Sequence, residues 1–406
     1  DKYSIGGCIL YNGIYMYSLD DFRLSLIGWK KTDDEQSIEI AFDSDPFRKR
    51  FALDHLSSKE FWLHDSISVF NESMTSNLDD EYVIDANIMD EFLAVLKQSV
   101  KRRVKDLPKV CKDCFRRQSQ EDRNNNKFEH QMKCQHAKIG ILFSGGVDSA
   151  VLAALVDQEI EDVEEEIDLL NVAFEKSNCP DDFMVPDRVT GFQSWRELNP
   201  KRKWNFVEVN VTLDELRRER EKVVRELLYP LQTVLDDSIG CAVWFASRGV
   251  GRLGEQRYQS HAEILVLGMG ADEQLGGYAR HRTCYQKSGA KGLVDELKME
   301  MGRISERNLG RDDRIISDHG KESRLPYLDE DVVDFLNRLE VNRKCNFKLP
   351  RGQGEKILLR RLASERLGLV NAANLEKRAI QFGSRIAKIE NAKEKASDAC
   401  KRIMIE

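Results

Sequence analysis

Long hydrophobic runs are missing from this 406-residue chain: no apolar stretch reaches the roughly 20 residues of a membrane span, and no secretory leader opens it. A surplus of positive charge is missing too. The 63 lysines and arginines are outnumbered by 70 aspartates and glutamates, a net charge of −7, which argues against a protein that coats nucleic acid. No internal repeat or low-complexity tract is present, which removes repeat architectures. Nine cysteines, an odd number scattered along a chain without a leader, point to reduced thiols and a cytoplasmic protein rather than a disulfide framework. An initiator Met is also absent, and the start at Asp1 leads us to expect a fragment or a processed form. What remains is a globular composition, 41% apolar and 33% charged, long enough for large cores and two or three domains.

Three textures follow one another. Residues 1–85 read as short β segments: Gly6–Tyr11 and Ile14–Tyr17 flank Asn12-Gly13, a strong hairpin signal, with weaker strand candidates at Phe22–Ile27 and Ser68–Phe70. Residues 86–137 hold a helix with Ile88, Phe92, Val95, Leu96 and Val100 at helical spacing, closed by Lys101, Arg102 and Arg103. A polar connection follows. Residues 138–406 alternate strands (Ile139–Phe143, Leu169–Phe174, Phe206–Val211, Ile264–Gly268) with helices (Ala150–Gln158, Leu213–Leu228), the pattern of an α/β fold with a parallel sheet and helices on both faces. The acidic run from Glu159 to Asp168 reads as a solvated loop, and the chain beyond residue 290 as helical.

Chemistry concentrates at the strand ends, where such folds bind ligands. Behind the first strand comes Ser144-Gly145-Gly146-Val147-Asp148-Ser149. Helix-start amides and the positive dipole end make such a turn an anion site, and glycines let backbone approach a phosphate. Asp148 is suited to a Mg²⁺ bridging the phosphates. The Walker A spacing and its lysine are absent. The run resembles the PP-loop of ATP pyrophosphatases, enzymes that cleave ATP between the α and β phosphates. A second strand end, Leu267-Gly268-Met269-Gly270-Ala271-Asp272-Glu273, again offers bare backbone and a carboxylate, and Gly276-Gly277-Tyr278 follows. Glu322-Ser323-Arg324-Leu325-Pro326-Tyr327-Leu328-Asp329 reads as a turn packed on the core, with Arg324 a charge-orienting candidate. Lys356 starts a helix after Gly352 and Gly354, within reach of a departing pyrophosphate.

In this order these elements resemble the synthetase domain of the asparagine synthetase family over about residues 138–362. The wording around Val234–Cys241, Gly270–Leu275 and Arg378–Arg385 is similar to its branch of asparagine synthetase domain-containing proteins. The resemblance implies a PP-loop, adenine nucleotide alpha hydrolase-like fold, preceded by part of a β-rich glutaminase-type domain. It implies that Ser144, Gly145, Gly146, Val147, Asp148 and Ser149 cradle pyrophosphate. Phe143, Val172, Leu267, Gly268 and Gly270 would border the nucleotide, and Asp148 and Asp272 would hold Mg²⁺. Lys356, Arg324 and Asp272 are the implied catalytic residues. The implied reaction activates an aspartate-type carboxylate with ATP, giving an acyl-adenylate, then an amide with ammonia from glutamine.

Two departures bear on that reaction. Met269 stands where the family has Glu between the glycines, and a thioether cannot take a proton or stabilise an ammonium. The first cysteine is Cys8, whereas the family's glutaminase needs Cys directly after Met, so the β segment is expected to be the tail of such a domain. A divergent nucleotide-binding protein on this scaffold is the alternative to the amide-forming enzyme; a tRNA-modifying PP-loop enzyme is a third. In the polar connection, Cys111 and Cys114 with His130, Cys134 and His136 are compatible with tetrahedral Zn²⁺. No second C-x-x-C follows, and plain thiols in a solvated loop are the expectation.

Overall fold

In the computed structural model the chain divides into two units, Asp1–Ser68 and Val69–Glu406. The described residues are the strands within 1–28 and residues 85–105, 107–117, 134–175, 182–389 and 395–404. The first unit holds two antiparallel pairs: β1 (Ser4–Ile5) with β2 (Cys8–Ile9), and β3 (Gly13–Tyr17) with β4 (Leu24–Gly28). The pairing expected across Asn12-Gly13 is not among the described ladders, since Cys8 faces Ile5 and Gly13 faces Gly28. Gly6-Gly7, between Ile5 and Cys8 in the sequence, suits a two-residue turn as well as Asn-Gly does. The candidate at Ser68–Phe70 lies outside the described residues.

The second unit is built on a seven-stranded sheet. Its strands are β5 (Ile139–Leu142), β6 (Ile167–Phe174), β7 (Trp204–Val211), β8 (Val250–Leu253), β9 (Gln256–Gln259), β10 (Ile264–Val266) and β11 (Glu322–Arg324). They lie in the order β11-β10-β5-β6-β7-β8-β9, parallel from β11 to β7 and antiparallel beyond. Six helices frame the site: α1 (Ala86–Val104), α2 (Val147–Glu159), α3 (Pro186–Trp195), α4 (Val234–Arg248), α5 (Ala271–Leu275) and α6 (Ile357–Arg366).

Side-chain alternation along β6 shows why helices must cover both faces. Ile167 and Leu169 enter one core with Ile139, Ile141, the α2 residues Val151, Leu152 and Leu155, and the α1 residues Phe92, Leu96 and Val100. Leu170, Val172 and Phe174 enter the other with Val207, Val209, Val211 and the α4 residues Val243 and Phe245. A strand apolar on both faces is stable only inside such a sandwich. α2 is apolar nearly all round because it sits between the sheet and α1.

Within the second unit the structure departs from the sequence-based expectations at three places. Glu322–Arg324, expected as a turn, is the edge strand β11, with Arg324 in register with Val266; an edge tolerates its polar residues. The acidic loop ends earlier than expected: Ile167 and Asp168 belong to β6. Asp168 is fully buried and accepts from Tyr258 (2.9 Å) and Asn205 (3.0 Å), and burial pushes its carboxyl above the usual range. The hairpin β8–β9 was not foreseen, because its strands are short and largely exposed. No described helix is long and apolar enough to cross a membrane.

Phe92 is fully buried and stacks on Phe335 at 5.9 Å between centroids. Phe92→Ala should lower the unfolding free energy of this unit by about 3–5 kcal/mol, read as a shifted urea midpoint; a surface-like change under about 0.5 kcal/mol would show that α1 is not part of the core.

Candidate functional site

The chain leaves β5 at Leu142 and turns into α2 through Phe143–Gly146. Gly145 has φ +78°, and a Cβ there would collide with the Thr190 backbone on α3, so only glycine serves. Gly146 caps α2 without a side-chain hydrogen bond, leaving the first-turn amides with no carbonyl inside the helix. Hydroxyl and amide groups fasten the turn from its rear. Asn171 Nδ2 donates to the Phe143 carbonyl (2.8 Å), Thr190 Oγ1 to Ser144 (2.9 Å), Ser194 Oγ to Gly145 (2.6 Å) and Ser149 Oγ to Gly146 (3.1 Å). Tyr327 Oη donates to the Asp148 carbonyl (3.1 Å).

Beside the turn lies a cluster of four buried or half-buried charges. Lys356, 1% exposed, places its Nζ 2.7 and 2.8 Å from the two Asp148 oxygens and 2.7 Å from Asp272 Oδ1. Lys377 pairs with the other Asp272 oxygen and lies 3.9 Å from Asp148 Oδ2. Burial alone would raise the Asp272 carboxyl, but the ammonium groups of Lys356 and Lys377 outweigh it and hold it far below the usual carboxylate range. For Lys377 burial opposes the charge, and Asp272 and Asp148 overcome it, raising its affinity for the proton.

Local backbone explains these positions. Gly270, with φ +92°, turns β10 into α5, and a Cβ there would strike Leu328. Gly277 is glycine because the Asp272 carboxylate occupies the space of its missing Cβ. Lys356 itself has φ +54°, a left-handed conformation costly for a residue with a Cβ, while its N–H is tied to the Leu275 carbonyl at 3.1 Å. Arg360, one turn later on α6, donates to the carbonyls of Ala373 (2.6 Å) and Leu375 (2.7 Å), and so positions the segment carrying Lys377. A cleft opens on the cluster, lined by Ser144, Gly146, Val147, Asp148, Lys356 and Arg360, with Asp187, Thr190 and residues 375–378.

Of the residues expected from the sequence, Ser144, Gly146, Val147, Asp148 and Lys356 line the cleft, and Asp272 joins their charge cluster. Gly145 and Ser149 shape the turn from behind. Phe143, Val172 and Leu267 are buried in the apolar cores at the strand ends. Gly268 lies against Asp148, where an added Cβ would come within 3.0 Å of the Asp148 Cβ. Arg324 is not brought into the cluster: its guanidinium bonds the Arg103 carbonyl and Glu322 (2.9 Å). The sequence reading missed Lys377, Arg360 and Asp187. Arg360 had a signal, standing one helical turn after Lys356 in the run Lys356-Ile357-Leu358-Leu359-Arg360; Lys377 had none, being 105 residues from Asp272. In the polar connection, the ligand atoms of Cys111, Cys114, Cys134 and His136 come together, whereas His130 lies outside the described residues. The expectation of scattered thiols does not describe this cluster.

A parallel sheet with a glycine turn at α2 and a second acidic turn beside it places the protein in the PP-loop class of α/β folds. The asparagine synthase family model matches residues 126–295 and 285–400, and the chain belongs to that family. It is similar to asparagine synthetase domain-containing protein 1 of Mus musculus, 48% identical over 379 residues (84% of this chain, 58% of that protein). The Homo sapiens protein of the same name is 48% identical over 362 residues, covering 78% of this chain and 54% of its own length. Similarity extends to asparagine synthetase [glutamine-hydrolyzing] of Gallus gallus, 26% identical over 226 residues, 55% of this chain and 36% of that one. The chain thus spans little more than half the length of these two domain-containing relatives.

Asp187 supplies a pH test. Burial pushes its carboxyl up to about 7, with Lys377 and Arg378 offsetting part of the effect. A raised folded-state value means the folded form keeps a proton that the unfolded chain releases above about pH 4. Stability should therefore fall as pH rises from about 4 to about 7 and level off above. Asp187→Asn should flatten that decline, measured as urea midpoints at about pH 5 and about pH 8; parallel curves for the two proteins would refute the assignment.

Proposed function

We propose that the cleft binds ATP with its pyrophosphate on the Ser144–Ser149 turn, and that the bound nucleotide activates a carboxylate substrate of the aspartate type. The observation that carries this reading is the Asp148–Lys356–Asp272–Lys377 cluster at the mouth of α2. Backbone amides and a helix N-terminus favour an anion there, and two ammonium groups stand ready to accompany it. Their present partners are carboxylates; a polyphosphate entering the cleft offers more negative charge and more acceptor oxygens. Lys356 and Lys377 would then follow charge as it builds on departing pyrophosphate, a mode of catalysis by positioning and electrostatics.

The same carboxylates fit Mg²⁺, since a magnesium site is commonly one or two Asp or Glu oxygens plus phosphates and water. Asp148 and Asp272 would hold the ion, which supplies charge neutralisation across the phosphates. Releasing the two lysines from those oxygens is the change such binding requires of this chain.

Amide formation is the finer part of the proposal. Met269, half-buried between Gly268 and Gly270, offers no proton acceptor to incoming ammonia. This residue favours a second reading, in which the chain binds and activates but transfers poorly, or only binds nucleotide. Ammonia would come from glutamine in a complete neighbouring domain.

Two experiments separate these readings. With ATP, aspartate and an ammonium salt, the first reading expects aspartate-dependent release of AMP and pyrophosphate, increased at least several-fold in amide yield by Met269→Glu. ATP binding without aspartate-dependent turnover supports the second. Lys356→Met should abolish nucleotide binding in equilibrium dialysis and destabilise the fold by about 3–5 kcal/mol, because two buried carboxylates lose the cation between them. Undiminished ATP affinity in that variant would rule out the phosphate role of Lys356.

A further inference from the structure

A second cluster of chemically active side chains lies at the opposite ends of the strands. Lys138 leads directly into β5, so residues before it sit at the end of the sheet away from the Ser144 turn. Cys111 opens a helical turn at 112–117, and Cys114 lies one turn later on it. Cys134 and His136 belong to the extended segment that enters β5. The sulfur atoms of Cys111, Cys114 and Cys134 and a ring nitrogen of His136 all lie within 4.8 Å of one another. His136 Nδ1 is 3.4 Å from both the Cys111 and the Cys114 sulfur. A tetrahedron with metal–sulfur bonds of about 2.3 Å has edges of roughly 3.8 Å, so these atoms already stand near its corners.

We propose that Cys111, Cys114, Cys134 and His136 form a structural zinc site. Three thiolates and one imidazole are a soft donor set that selects Zn²⁺ over Mg²⁺ or Ca²⁺, and four protein ligands close the coordination shell without leaving a place for substrate. The surroundings suit a thiolate-rich centre of net negative charge. The Cys111 backbone N–H donates to the Cys134 sulfur at 3.2 Å, and the His136 backbone also bonds that sulfur. Lys138, almost fully buried, donates to the Cys134 carbonyl (3.1 Å) and the His136 carbonyl (2.5 Å), sharing its charge with Glu165 at 3.0 Å. The His136 ring stacks on His261, whose Nδ1 meets Asp113 on the same helical turn as Cys114. Such outer contacts orient ligands around a metal.

The site joins two stretches separated in sequence and anchors both to the sheet. Lys112, between the cysteines, donates its N–H to Glu263 (2.7 Å) and its Nζ to the Gly320 carbonyl (2.7 Å), next to the starts of β10 and β11. Zinc there would close the 111–136 loop and hold it against the strand ends. No described cysteine is in a disulfide, so all three sulfurs are available as ligands.

The test is metal content of the chain purified under reducing conditions with zinc in the medium. One zinc per chain is expected by elemental analysis. It should fall at least five-fold in Cys111→Ser and in Cys134→Ser and be unchanged in Cys284→Ser, whose thiol lies elsewhere. His136→Cys should retain zinc, since a fourth thiolate replaces the imidazole. Should the serine variants fail to fold, cobalt titration of the metal-stripped native chain decides instead. A sulfur-to-cobalt charge-transfer band that disappears on adding one equivalent of zinc supports the site. Substoichiometric zinc, zinc retained in Cys111→Ser, or cobalt binding without that band overturns it.

Discussion

Lys356 is the constraint on which the cleft end of this fold depends. Two carboxylates, from the first turns of α2 and α5, approach one another closely enough to repel, and the Lys356 ammonium between them, with Lys377 beside it, makes their proximity tolerable. Placing it there obliges the backbone at Lys356 into a left-handed conformation, excludes a side chain at Gly277, and fixes α6 against the Leu275 carbonyl. Elements far apart in sequence, which already share the apolar core beneath, are thereby tied together by charge at the cleft as well. A buried ionic network is a weak source of net stability. Its place at the mouth of a cleft accords with the polyanion-binding role proposed above.

The two apolar cores supply the stability that this cluster does not. With helices on both faces, the sheet presents its C-terminal strand ends as one edge, and the turns after β5 and β10 open side by side there because their strands are hydrogen-bonded neighbours. The candidate site is thus a consequence of strand order. The far ends of the same strands carry the cysteine–histidine cluster, so the two chemically distinct groups of residues are separated by the length of the sheet.

Much of this was legible in the sequence, for physical reasons. The central parallel strands are near-continuous apolar runs, and the glycine turns follow them immediately, so strand, turn and acid are contiguous and their meaning is local. What was not legible is tertiary. Lys377 reaches Asp272 only because Arg360 captures the carbonyls of Ala373 and Leu375. Arg324, charged and close to Pro-Tyr-Leu, invited a role at the site, and its pairing with Glu322 and the Arg103 carbonyl is a tertiary feature that sequence does not show. The edge strand at Glu322–Arg324 and the hairpin β8–β9 are polar and short, with too little periodicity to distinguish strand from turn. The Cys/His set was visible as residue types, but its convergence depends on how a helical turn and an extended segment meet at the sheet.

The fastening of the Phe143–Ser149 turn has one more consequence. The carbonyls of Phe143, Ser144, Gly145, Gly146 and Asp148 each accept a bond from a side-chain hydroxyl or amide. With its acceptors occupied, the turn has chiefly N–H groups left to offer a ligand. The main chain of the turn then offers a ligand mostly donors, and the acceptor beside them is the Asp148 carboxylate. The hydroxyls of Thr190, Ser194 and Tyr327 thus bear on the cleft through the backbone, by leaving its main chain chiefly donors.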